Sequence, residues 1–191
     1  MTTEIGRPRD KRIDSAVLRA TVELLAETGY ADLSVDAIAR RAGTSKPAIY
    51  RRWPGKAYLV HEAVFPIGDA TALPDTGSLA GDVREMVRRT AAVLTTPPAR
   101  AALPGLVGEM AADLTLHSAL LERFGGILSR GLSDRLADAV ARCEARPDVT
   151  AAEVVEAVAG TTFMALLTRG AELDDAWVER TAALITTGIS A

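Results

Sequence analysis

Lys46, Tyr50, Arg51, Arg52 and Lys56 gather four cations and a phenol into an eleven-residue span, with the hydroxyls of Thr44 and Ser45 just before it. This set can recognise a phosphodiester backbone and the edges of bases. A lysine ammonium is a mobile point charge, whereas an arginine fork donates two parallel hydrogen bonds to a phosphate or to the paired acceptors of guanine. Nothing comparable supports bond-breaking chemistry. The two histidines, His61 and His117, stand outside any His-Glu-x-x-His or Cys-x-x-Cys arrangement, so a metal centre of common ligands is not expected. His61 reads as a surface or interdomain hydrogen-bonding residue. His117, near a helix junction, reads as a capping or solvent-facing group, with a cavity-lining role as the alternative. A serine nucleophile elbow, a P-loop and a dinucleotide fingerprint are absent. Glu109 and Asp113 lie one helical turn apart, but such pairs are common on solvated helices and no second half of an acid–base site accompanies them. No catalytic residue, metal or cofactor is assigned.

The elements that must position the basic span can be read from Ser34 to Lys56, SVDAIARRAGTSKPAIYRRWPGK. Ser34 can cap a short helix whose apolar side is Val35, Ile38, Ala39 and Ala42, and Gly43 follows where the chain must turn sharply. Ser45 can cap a second helix with Pro47 in its first turn, where a missing N–H costs least. Ile49 then points inward, leaving Lys46, Ala48, Tyr50, Arg51 and Arg52 outward. This is the spacing of a helix-turn-helix whose second helix can lie in a DNA major groove. For Tyr50, packing across the core of this unit is the competing placement.

Charge separates in the same sense. Residues 1–61 hold 11 Lys and Arg against 7 Asp and Glu, a net +4, whereas residues 62–191 carry a net −7 within an overall −3. A basic end favours phosphate through counterion release whatever the base sequence. Gly6, Arg7, Pro8 and Arg9 form a short basic arm that can reach phosphates or a minor groove, the alternative being a frayed terminus.

At these residues the chain resembles the TetR family of bacterial transcriptional regulators. The resemblance rests on a long helix ending in Glu27, Thr28, Gly29 and Tyr30, then SVDAIARRAGTSKPAIYRRW, then Lys56 opening the next helix. It covers the first third of the chain closely and the remainder in layout. Three positions depart from the family pattern: Ala48 stands where Thr is frequent, Arg52 where His is frequent and Trp53 where Phe is usual. The operator read by this chain is therefore not transferable from a relative.

The resemblance implies a homodimer that sets two recognition helices in successive major grooves of double-stranded DNA, on a palindromic operator. It also implies release by a small-molecule effector, with repression as the common sign. Lys46 would then reach guanine edges or phosphate, Tyr50 and Lys56 would anchor phosphates, and Thr44 and Ser45 would donate to the backbone. Arg51 or Arg52 would go to phosphate or base. Half-sites are expected roughly 34–36 Å apart.

The rest of the chain reads as helix, so the fold expected is all-α. A three-helix helix-turn-helix head spans residues 1–62, a connecting segment 63–78, and a larger helical effector-binding and dimerisation domain 79–191. No apolar run reaches the ~20 residues of a membrane helix. The N-terminal MTTEIGRPRDKR lacks the apolar stretch of a secretory signal, so the cytoplasm is expected. The single cysteine, Cys143, reads as an inert core residue.

Apolar positions recur at helical spacing from Lys11 to Thr28, and a helix over 79–96 is stopped by Pro97 and Pro98. A shorter helix follows with Leu103, Leu106, Val107 and Met110, and then a long one from about Ser118 to Cys143. Thr150 with Glu153 makes a capping box for a helix through about Thr168, and Asp174 caps the last, through about Gly188. Residues 154–167 are apolar on more than one face. Ala157, Gly160 and Thr161 there, with Trp177, Thr181, Leu184 and Ile185 on the last helix, are the candidate self-association surface; a wholly internal helix is the alternative. Candidate pocket residues are Met86, Arg89, Leu106, Glu109, Met110, Phe124, Leu128, Phe163 and Met164, each of which plain core could also use. The two functional alternatives are a DNA-binding regulator without small-molecule input and an all-helical enzyme.

Overall fold

The computed structural model describes residues 11–66, 75–170 and 172–191; the side chains at 11, 121 and 123–130 lie outside that description, as do Arg7 and Arg9. The described residues form nine α-helices, with a lone antiparallel bridge between Ala145 and Ser190. They divide into two compact units.

The first unit runs to Pro66 and takes in Ala101–Gly108. Its helices are α1 (Lys11–Asp32), α2 (Val35–Arg41), α3 (Lys46–Tyr50) and α4 (Lys56–Val64). Within α1 the helical geometry breaks at Gly29, φ 74°, where a side chain would be strained. α1 packs against α2 and α4, and α2 against α3. Between them Val17, Thr21, Leu25, Ile38, Ile49, Leu59 and Val60 are buried. Trp53 closes this core, its indole N–H donating to Glu62 Oε2 at 3.0 Å. His61, read from the sequence as a surface or interdomain hydrogen-bonding residue, is buried, with its ring 5.6 Å from that of Phe65.

The second unit contains α5 (Leu79–Leu94), the ends of α6 (Pro97–Ala112), α7 (Leu114–Ala141), α8 (Ala151–Arg169) and α9 (Asp175–Ile189). α5 is central, packing on α9, α8 and α7. Val83, Met86, Val87, Leu132, Leu136, Val154, Val158, Trp177, Val178 and Ile185 fill the core between them. The start of α5 is pinned from three directions. Ser78 caps Gly81 N–H, the buried Asp82 carboxylate accepts from Thr76 N–H and Oγ1, and Glu144 Oε2 accepts from Leu79 N–H at 2.8 Å.

Three local outcomes differ from the sequence-based expectation. Pro97 and Pro98 do follow the end of α5, but they also open α6, occupying the first-turn positions behind the Thr96 cap, where no N–H is needed. α7 begins at Leu114 because the Asp113 carboxylate accepts from the N–H groups of Thr115 (2.8 Å) and Leu116 (3.1 Å). Cys143 is exposed, not core, and holds a left-handed φ of 58° just past the end of α7.

α8, at mean hydropathy 1.4, is long and apolar enough by length and composition to cross a membrane. A helix of a helical core meets the same test: Val154, Val158, Thr162 and Ala165 face inward.

Candidate nucleic-acid interface

α3 is only five residues long, so its pose depends on what holds its ends. Ser34 Oγ accepts from Ala37 N–H at 3.2 Å at the start of α2, and Ser45 Oγ accepts from Ala48 N–H at 3.3 Å at the start of α3. Between the helices Gly43 adopts φ 65°. There Gly43 N–H donates to Arg40 O and Thr44 N–H to Ala39 O, closing the last turn of α2. Ala48, Ile49 and Trp53 then seat α3 on the core.

The outer surface so produced carries Ser45, Lys46, Pro47, Tyr50 and Arg51, all exposed, with Thr44 half-buried beside it. Tyr50 is 45% exposed, so its ring belongs to this surface rather than to the core.

Three residues expected outward or on phosphate are placed otherwise. Ala48 is buried, because a helix of one and a half turns resting on Ile49 turns its neighbour inward as well. Arg52 folds back to pair with Asp14 of α1 and donates to Ala48 O at 3.0 Å, leaving 13% of its side chain exposed. Lys56 donates to Tyr30 O at 3.1 Å and lies 4.2 Å from the centroid of the Tyr30 ring. A backbone carbonyl and an aromatic face thus hold the ammonium that the sequence assigned to phosphate.

Ion pairs sort the remaining cations. Arg41 donates both guanidinium nitrogens to Glu27 at 2.9 Å and also reaches Glu23. That hydrogen bond lowers the Glu27 pKa below its ordinary value and raises that of Arg41. Lys46 Nζ lies 2.7 Å from Asp36 Oδ2, and the bond raises the lysine pKa. Among the described residues Arg40 and Arg51 are exposed cations of this unit that carry no such pair. Arg40 was not singled out from the sequence. Its exposure follows from the inward set Val35, Ile38 and Ala39, which leaves position 40 on the opposite side of α2.

In the second unit the expected pocket and interface residues separate. Met86 is core, Arg89 is half-buried against Glu85 at 2.6 Å, and Glu109, Met110 and Phe163 are half-buried. Leu106 is buried in the stretch of α6 that groups with the first unit. Met164 is 58% exposed, and Phe124 and Leu128 lie outside the described side chains. A groove of about 370 Å³ beside Leu79, Cys143, Glu144, Thr186 and Ser190 is lined by none of them.

Of the proposed interface, Trp177, Thr181 and Ile185 face the core of their own unit, because α9 turns that side toward α5. Ala157, Gly160 and Leu184 are exposed and Thr161 half-buried. Met164 and Leu167 of α8 and Leu184 of α9 are exposed large apolar side chains.

The profile of bacterial regulatory proteins of the tetR family matches residues 17–63, and that of a tetracyclin repressor-like C-terminal domain matches residues 73–185. The chain is 30% identical over 182 residues to the HTH-type transcriptional regulator YdeS of Bacillus subtilis, covering 93% of this chain and 90% of that protein. It is 34% identical over 178 residues to the DNA-binding transcriptional repressor TetR of Mycobacteroides abscessus, covering 90% of each. In fold it is similar to a TetR-family regulator from Mesorhizobium loti, with a TM-score of 0.67 at 20% identity, covering 95% of this chain and 96% of that one.

Proposed function

The chain belongs to the TetR family of bacterial transcriptional regulators and is a DNA-binding protein; from that premise we propose that it is a cytoplasmic homodimeric repressor of a palindromic operator, released by a small molecule. The observation that carries this reading is the tip of α3, which presents Lys46, Tyr50 and Arg51 to solvent on a capped helix too short to be displaced without its core.

Arg51, and Arg40 on α2, supply charge to the phosphates, while Lys46 and Tyr50 reach into the groove. The exposure of Ala157, Gly160 and Met164 on α8 and of Leu184 on α9 supports self-association through these helices. Two heads held in one dimer meet two half-sites. An effector releases them by binding more tightly to a dimer whose head spacing no longer fits DNA, since a ligand shifts an equilibrium only by its differential affinity for the two states. The effector belongs to the second unit in this scheme.

Selection of duplexes from a random DNA pool by the purified protein tests the reading. The expected result is an inverted repeat. A pool that enriches no motif, or enriches a single unrepeated half-site, overturns the dimeric operator reading.

A further inference from the structure

Lys46 opens the exposed helix, and its ammonium is already engaged inside the free head. Asp36, on the outward side of α2, reaches across the Gly43 turn and places Oδ2 2.7 Å from Lys46 Nζ. The carboxylates of the other described ion pairs in the first unit act elsewhere: Glu23 and Glu27 hold Arg41, and Asp14 holds Arg52. Asp36 alone among these reaches the outer surface of α3. An unrestrained lysine is a flexible point charge that any phosphate satisfies. One whose ammonium spends one of its three donors on a fixed carboxylate keeps two donors in a restricted direction, and a restricted donor can discriminate acceptors on base edges.

We propose that Asp36 is the positioning residue for Lys46: it restrains the ammonium as a directional reader of a base edge and withdraws its charge from sequence-neutral phosphate binding. The inference rests on the DNA-binding reading above. An anion beside the groove also opposes DNA at every sequence, and only a site offering Lys46 a well-placed acceptor offsets that repulsion, so the carboxylate acts against non-operator DNA. The pair is solvent-exposed on both sides, with 46% of the Lys46 side chain and 54% of Asp36 accessible, so its loss leaves the core of the head untouched.

The test repeats the duplex selection with wild type, Asp36→Ala, Asp36→Asn, Asp36→Glu and Lys46→Ala, and adds the salt dependence of binding to an unrelated duplex. For Asp36→Ala and Asp36→Asn the expected result is loss of base preference at one position of each half-site. Non-operator affinity should rise with a salt slope steeper by about one unit, and the ratio of operator to non-operator affinity should fall roughly tenfold. Asp36→Glu restores part of the preference. In a Lys46→Ala background the Asp36 substitutions should leave the motif unchanged and shift affinity equally for every sequence. An unaltered motif and slope in Asp36→Asn, or a change of motif that persists without Lys46, overturns the proposal while the operator reading stands. Absence of any motif for wild type overturns both. Thermal melting of each variant identifies a folding defect, and the near-isosteric Asp36→Asn keeps the comparison valid if Asp36→Ala melts early.

Discussion

Gly43 in the first unit and Cys143 in the second do the same structural job with different residues. Each sits one position past the cap of a helix in the left-handed region, at φ 65° and 58°. Each is flanked by the same pair of backbone bonds: Gly43 N–H to Arg40 O with Thr44 N–H to Ala39 O, and Cys143 N–H to Val140 O with Glu144 N–H to Ala139 O. In the head the conformation is carried by the residue best suited to it. In the second unit the surroundings impose it on a side chain that does not favour it: Glu144, the next residue, is held by Leu79 N–H and Arg142. The head therefore states its geometry in local residue types, and the second unit states it in long-range contacts.

The largest expected effect separates the two units. Trp53→Ala removes a buried indole and its bond to Glu62, and should destabilise the head by about 3–5 kcal/mol. DNA binding should be lost while the oligomeric state measured by sedimentation is retained. Loss of both would mean that the units do not fold as separately as their cores suggest.

Next in size is Gly105→Ala. A Cβ there would fall 2.0 Å from Tyr30 Cδ1, and the Tyr30 ring is buried, so the substitution should cost about 1–3 kcal/mol in thermal unfolding. A neutral result would show that Ala101–Gly108 does not pack on the head as firmly as this contact requires.

The same contrast explains what could be read from sequence. The caps at Ser34, Ser45, Thr150 and Asp174 were legible because a cap is a relation between residues two or three positions apart. The inward set Val35, Ile38, Ala39 and Ile49 was legible for the same reason. Arg52 was not, since its partner Asp14 lies 38 residues earlier. Nor was Lys56, since it is held by a carbonyl and a ring that any sequence can supply. In the second unit periodicity identified apolar positions but not their neighbours. Trp177, Thr181 and Ile185 face inward while Leu184, one position away, is 71% exposed. The Asp36–Lys46 pair had a visible precursor in opposite charges on consecutive helices, but its geometry depends on the Gly43 turn.

Leu184→Glu sharpens the comparison from the other side. It puts a charge on the proposed self-association surface without disturbing the core, and should weaken dimerisation at least about tenfold, near 1.4 kcal/mol. Sedimentation should then show monomers whose helical content and head stability are unchanged. Persistence of the dimer would remove this face of α9 from the interface.

Smaller still is the paired exchange at the two left-handed positions. Gly43→Ala meets nothing within 4 Å, so its cost is conformational alone, about 1 kcal/mol. Cys143→Gly should have the opposite sign and a smaller size, because relief of the left-handed strain is partly offset by the freer unfolded chain. Equal signs in thermal melts would mean that the shared hydrogen-bond pattern conceals different energetics.

The smallest effect tests a local ion-pair cluster of the second unit through acid. Glu85, on α5, bonds Arg88 at 2.6 Å and Arg89 at 2.6 Å, and the Arg88 bond leads the causes that lower its pKa from 4.5 to about 2. A carboxyl lowered on folding stabilises the native state above its unfolded value. Its contribution is complete above about pH 4.5, declines as the pH falls toward 2 and is gone below it. Glu85→Gln should therefore lower Tm by about 2 °C at neutral pH, and the two melting curves should converge as the pH approaches 2. A difference that persists in acid would assign the loss to packing on α5 instead of charge. Because both arginines are on the same helix, the effect should also be unchanged by Leu184→Glu, so additivity of the two substitutions checks that this pair stabilises α5 independently of self-association.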